Sequence, residues 1–186
     1  MLCPVCRIAL GRVVLLPAGL SATPCDKGHG QWITAAAFAA WQEKPKPPVR
    51  GTPPLSVALQ TAQPQAARIC PDCGRIMGKY KVGRGLGFAI DHCGGCGGVW
   101  LDAEEWDTLV ANNLHQDLYR IFSSAWQKKI RDAELRATLE AAYRKRLGAD
   151  AFQKAQEIRA WVQGHPEKRA LLAFIGEDDP YNLQTH

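Results

Sequence analysis

Two Cys-x-x-Cys pairs, Cys70/Cys73 and Cys93/Cys96, stand with nineteen residues between them. No other feature of the 186-residue chain narrows its fold so far. Each pair folds as a tight knuckle that aims two thiolates at one point, and two knuckles at this separation make a tetrahedral zinc site. The segment between them, "GRIMGKYKVGRGLGFAID", carries "GRG" between two strand-like runs, which predicts a hairpin that brings the knuckles together. Gly74, Gly94, Gly95, Gly97 and Gly98 crowd the knuckles, where they permit positive φ and let backbone N–H groups approach the sulfurs.

Other readings of "CGGCGGVW" fit less well. A phosphate-binding loop needs a Lys-Ser/Thr after its glycines, or a G-x-G-x-x-G between strand and helix, and neither is present. A redox Cys-x-x-Cys stands alone at a helix N-terminus in an α/β pattern, whereas here the motifs come as a spaced pair.

The chain contains this module twice. "CDKGHGQWITAAAF" from Cys25 aligns without gaps on "CGGCGGVWLDAEEW" from Cys93, placing Trp32 on Trp100 and Thr34 on Asp102. Upstream, "LCPVCRIAL" aligns on "ICPDCGRIM". In the first copy Gly28 falls where Cys96 would, and His29 follows at once. The expected first site is therefore Cys3, Cys6, Cys25 and His29, the imidazole reaching across the extra residue. The alternative is a first site that has lost its metal. Trp32 and Trp100 are expected to pack beside the metal rather than to stack on nucleic-acid bases. Asp102 with Glu105 reads as a capping box for a helix, and Thr34 as the equivalent cap in the first copy. His92, beside Cys93, is a spare ligand or a neighbour of the site and is left out of the ligand set.

These residues and spacings resemble the zinc-ribbon domain of many bacterial proteins that is named after transcription factor IIB. That pattern is C-P-x-C, a hairpin, then C-x-x-C-x-G-x-W-L-D and a short acidic helix. Cys70, Pro71, Cys73, Cys93, Cys96, Gly98, Trp100, Leu101 and Asp102 match it. The first copy matches at Cys3, Pro4, Cys6, Cys25 and Trp32 and departs at Gly28/His29 and Thr34. The resemblance implies a ribbon fold and zinc binding, and a link to transcription only through the family's name.

Charge and composition set the remaining bounds. Residues 1 to 101 carry a formal +7 and residues 102 to 186 a formal −2. Seven thiolates and two zinc ions together add −3, which leaves the chain at about +2. Lys79, Lys81 and Arg84 on the second hairpin form the best nucleic-acid patch, with a merely solvated face as the blander reading. The start of the chain lacks the pattern of an export signal, and "VVLLPAGL" is too short to span a bilayer, so a cytoplasmic location is expected. A module of roughly 40 residues buries too little surface to hold itself together, so chelation is expected to unfold both copies.

The sequence thus predicts a small metal-bound β architecture, two zinc ribbons each followed by a short helix, plus an all-α C-terminal region. Expected boundaries are 1–43 for the first ribbon and its helix, 44–67 for a Pro-rich tether, 68–110 for the second ribbon, and 111–186 for a helical hairpin or bundle. Helical periodicity runs from Trp106 towards Leu147 with a break expected near "FSS". Gly164 and Pro166 separate two later helices, and Gly176 stops the last. The functional expectation is a non-enzymatic adaptor that presents the ribbons to a macromolecule, protein ahead of nucleic acid, while the helices bind a second partner or self-associate. A zinc-dependent or thiol-redox enzyme is the competing class.

Overall fold

A computed structural model describes residues 1–44 and 66–181. The expected tether at 44–67 lies, apart from its ends, outside them. The chain divides into two compact units, Met1–Arg131 and Asp132–His186.

The first unit is built on one six-stranded antiparallel sheet. Its strands are β1 (Val14–Leu15), β2 (Ser21–Pro24), β3 (Gly30–Ile33), β4 (Gly78–Gly83), β5 (Leu86–His92) and β6 (Val99–Asp102). Their order is β1-β2-β3-β6-β5-β4. The two copies are therefore not separate beads on a tether, because β3 of the first pairs with β6 of the second. The register is Gly30↔Asp102, Gln31↔Leu101, Trp32↔Trp100 and Ile33↔Val99. Because Trp32 and Trp100 are equivalent positions of the repeat, this register maps onto itself when the copies are exchanged. It is the self-complementary pairing of a two-fold dimer, carried within one chain.

Equivalent positions repeat their backbone hydrogen bonds. Cys3 N–H donates to Ile8 O and Cys70 N–H to Arg75 O; Cys25 N–H donates to Gly30 O and Cys93 N–H to Gly98 O, all at 2.8–2.9 Å. The hairpin predicted around "GRG" is present. Arg84 and Gly85 take φ of 53° and 81°, as a two-residue turn with both central φ positive requires.

Helix α1 (Ala35–Gln42) follows β3, and Thr34 Oγ1 caps it by accepting from Ala37 N–H at 3.1 Å, as expected. Helix α2 (Glu105–Ala111) follows β6, but the expected capping box is only half formed. Glu105 accepts from Asp102 N–H at 2.8 Å. Asp102 itself lies in the strand, its carboxylate engaged by Arg68 and Trp100, and Glu104 precedes the helix at φ 69°. Helix α2 locks the second copy onto the first, at the turn that α1 also holds. Trp41 Nε1–H of α1 donates to Ala18 O at 2.7 Å, and Trp106 Nε1–H of α2 donates to Pro17 O at 2.8 Å, so one turn of the first copy receives an indole from each. Phe38, Trp41, Ile33, Ile90, Leu101 and Trp106 are buried in the shared core.

The helical stretch after Trp106 breaks twice. Asn113 at φ 54° ends α2, with Leu114 N–H donating to Leu109 O and Asn113 N–H to Val110 O, a Schellman closure. Helix α3 (Leu118–Ile121) then stops at Phe122–Ser123, the break expected at "FSS", before α4 (Ser124–Leu147). Leu114, Leu118 and Ile121 belong to the ribbon core, so the helical region expected from 111 contributes its first part to the ribbons. In the second unit α4 continues from Asp132, followed by α5 (Ala149–Gly164) and α6 (Lys168–Gly176), with ends where Gly164, Pro166 and Gly176 place them.

Candidate metal centres

Both expected ligand sets converge. The side-chain donors of Cys3, Cys6, Cys25 and His29 all lie within 4.8 Å of one another, and so do those of Cys70, Cys73, Cys93 and Cys96. Across the first group, Cys6 Sγ is 3.7 Å from Cys25 Sγ, and His29 Nδ1 is 3.5 Å from Cys25 Sγ. Across the second, Cys70–Cys96 is 3.5 Å and Cys73–Cys93 3.3 Å. A tetrahedron of thiolates about 2.3 Å from one zinc ion has edges of about 3.8 Å. A disulfide needs about 2.05 Å. The observed sulfur separations of 3.3–3.7 Å lie far closer to the metal-site edge than to a disulfide bond, and no disulfide is formed.

The knuckle backbone supports the sulfurs. Val5 N–H points at Cys3 Sγ, and Asp72 and Cys73 N–H at Cys70 Sγ, each at 3.4 Å. Among the knuckle glycines, Gly74 and Gly97 take the positive φ expected, at 72° and 73°, while Gly94, Gly95 and Gly98 do not. Gly98 has a different role: a Cβ there would lie 2.1 Å from the Trp32 ring. In the first copy the corresponding turn is held by Gly28 at φ 73°, which frees the next position for His29.

The thiols are not equivalent before metal binds. Burial raises Cys3 to about 11 and Cys96 to about 12. At Cys25 burial is outweighed by N–H groups of Lys27 and His29 and by the His29 ring, which bring the thiol down to about 6. At Cys93 the N–H groups of Cys96 and Gly95 likewise overcome burial and bring it to about 7. Cys25 and Cys93 are equivalent in the repeat, so each site offers one thiolate ready near neutral pH. Zinc binding drives the remaining protons off.

Residues 69–112 match the zinc-ribbon family described as a transcription factor zinc-finger. The second copy is a zinc ribbon, and Cys3, Cys6, Cys25 and His29 make the first a divergent one. No curated protein and no solved structure matches the chain. The donors identify two zinc-binding groups, one of four thiolates and one of three thiolates and an imidazole.

The ribbons also rest on Arg68, Asp91 and Tyr119, which sequence reasoning did not single out. Arg68, two residues before Cys70, donates to Asp91 at 2.8 Å and to Asp102 at 2.6 and 3.0 Å; Lys79 Nζ adds 2.9 Å to Asp91. Asp91 is buried, so this cluster ties β5 and β6 together behind the second site. Burial lowers the Arg68 guanidinium, but the hydrogen bond and charge of Asp102 raise it further. Tyr119 OH donates to Gly97 O, joining α3 to the second knuckle. His92 is not a ligand. It stacks on Phe122 at 4.2 Å and 11°, and burial lowers its basicity. Trp32 and Trp100 are fully buried among the cysteines, as expected. Trp100 Nε1–H donates to Asp102 Oδ1 at 2.8 Å, while Trp32 Nε1–H has no partner among the described residues. The position equivalent to Asp102 is Thr34, whose hydroxyl serves as the helix cap.

The basic patch expected for nucleic acid has other engagements. Lys79 is committed to Asp91, and the Arg84 guanidinium lies 5.0 Å over the Trp126 ring. Lys81 is exposed. Among the described residues no helix is long and apolar enough to cross a membrane.

Proposed function

We propose that the chain is a non-enzymatic zinc-ribbon adaptor whose first ribbon contacts a protein. The observation that carries this reading is an asymmetry between two copies of one backbone. On the first ribbon Leu2, Val5 and Ile8 are exposed, and β1 at the sheet edge exposes Val14 and Leu15. The equivalent positions of the second ribbon hold a half-buried Ile69, Asp72 and Arg75, so that its first knuckle exposes one large apolar side chain among the described residues, Ile76, against three on the first ribbon. An apolar patch beside an open strand edge suits a protein partner that adds to the sheet or packs on the knuckle. The commitment of Lys79 to Asp91 favours protein over nucleic acid. Closed sets of four donors favour structural over catalytic zinc, and a role in transcription is an extension of the family's description.

A photocrosslinker at Val5 tests the reading. It should capture a protein from nuclease-treated extract, and Val5→Asp in a chain crosslinked through Ile8 should abolish the capture. Capture that disappears with nuclease, together with steeply salt-dependent DNA or RNA binding lost in Lys81→Glu, would reverse the order of partners. Fast-reacting thiols in the zinc-loaded protein would favour an enzyme instead.

A further inference from the structure

The second unit is short of a core. Of its described apolar side chains only Phe152 and Val162 are buried, while Leu135, Leu139, Tyr143 and Leu147 on α4 stand 47–60% exposed. Those four recur every fourth residue and so form one ridge of the helix. With Phe152 and Ala155 of α5 they line an open groove of about 700 Å³. A groove of this size, apolar along one wall, is a seat for a helix.

The charges beside the groove say which helix. The neighbouring ridge of α4 reads Asp132, Arg136, Glu140, Arg144, alternating in sign, with Arg136 Nε–H already donating to Glu140 Oε1 at 3.0 Å within the helix. All but Arg144 line the groove, and the Arg144 guanidinium lies 5.6 Å over the ring of Phe152, which also lines it. An antiparallel second copy of α4, related by a two-fold axis at Thr138, brings Asp132 against Arg144 and Arg136 against Glu140. Every position of the row then meets its opposite charge, and Leu135, Leu139 and Tyr143 of the apolar ridge, centred one residue further on, meet their copies. A parallel copy in register would set like charges opposite one another. Self-complementarity about a two-fold axis is what an interface between identical chains requires, and an unrelated partner has no need of it.

We infer that the chain is a homodimer through α4 and α5, the groove of each copy receiving α4 of the other in antiparallel orientation. This goes beyond the adaptor reading and does not depend on it. Its consequence is two copies of the ribbon unit per assembly, so two weak contacts with one partner assembly gain from effective concentration.

Sedimentation equilibrium of the full-length, zinc-loaded chain tests this from low to high micromolar concentration. The wild type should be a dimer, and Leu139→Glu a monomer that still binds zinc. The charge row supplies the stricter test. Asp132→Arg and Arg144→Asp should each raise the dissociation constant about tenfold at low salt, since one change spoils two symmetry-related pairs and these residues, about three turns apart, cannot pair within one helix. The double variant Asp132→Arg/Arg144→Asp should return it to near the wild-type value. Circular dichroism of each variant separates lost pairing from lost helix. A wild-type monomer throughout, or a dimer unmoved by Leu139→Glu, overturns the inference. Single variants that weaken a dimer which the double variant fails to restore overturn the antiparallel register.

Discussion

Replacing Gly30 by alanine strikes the seam where the two ribbons become one sheet. Gly30 sits in β3 at φ 142°, and a Cβ there would lie 2.2 Å from Leu101 O and 2.8 Å from the Asp102 Cα. Both neighbours are backbone of β6, so no side chain can swing aside. Relief means moving β6 away by about 1 Å, which strains or breaks the adjoining bonds of the Gly30–Ile33/Val99–Asp102 ladder. The backbone conformation alone costs about 1–3 kcal/mol for a residue with a Cβ. Two weakened ladder bonds at about 1 kcal/mol each bring the total to about 3–5 kcal/mol. Urea unfolding in a zinc buffer, followed by tryptophan fluorescence, reads this directly, because Trp32 and Trp100 face each other across the seam. Fixing free zinc keeps the metal's contribution equal in both proteins. Gly94→Ala is the control: that glycine lies between two ligands, yet a Cβ there meets nothing within 4 Å, and the expected change is within about 0.5 kcal/mol. A loss below about 1 kcal/mol for Gly30→Ala, or equal losses for the two variants, would refute the fused sheet.

Two further outcomes follow from single side chains. Burial raises the Glu105 carboxyl to about 8 from an ordinary 4.5, so the folded chain holds a proton there that the unfolded chain has released. That stabilisation is complete below about pH 4.5 and is lost as pH rises through 8; relative to Glu105→Gln the wild type should therefore lose about 2–4 kcal/mol between pH 5 and 8, and a pH-independent difference contradicts the burial argument. Thr34→Asp keeps a good helix cap and places an acceptor where the second ribbon has Asp102, so it should offer Trp32 Nε1–H its missing bond and raise stability by about 1 kcal/mol; a lowered melting temperature counts against equivalence of the copies.

The metal sites were legible because their chemistry is local. Four donors at set spacings, a turn at Arg84–Gly85 and a His one place beyond a lost Cys need only short-range geometry. The break at Phe122–Ser123 and the helix ends at Gly164 and Gly176 were legible for the same reason. The seam was not. Pairing of β3 with β6 depends on Gly30 and Gly98 admitting close neighbours, and a glycine's spacing does not say whether it serves a turn or a contact. Asp102 illustrates a second limit. Its neighbours in sequence spell a capping box, but Arg68, thirty-four residues away, claims the carboxylate in the fold. The earlier break at Asn112–Leu114 carried a signal in its paired asparagines, which favour the left-handed turn found at Asn113. Helical periodicity through that stretch concealed it, because Leu114, Leu118 and Ile121 keep facing the core after the helix stops.

The most direct measurement is metal content joined to zinc-edge X-ray absorption on the purified full-length chain. The account predicts two zinc ions per chain whose combined coordination is seven sulfurs and one imidazole nitrogen. His29→Ala should remove the nitrogen signal and leave the four-sulfur site intact. Fewer than two zinc ions, cysteines joined as disulfides, or a water oxygen completing either site in the wild type would contradict it.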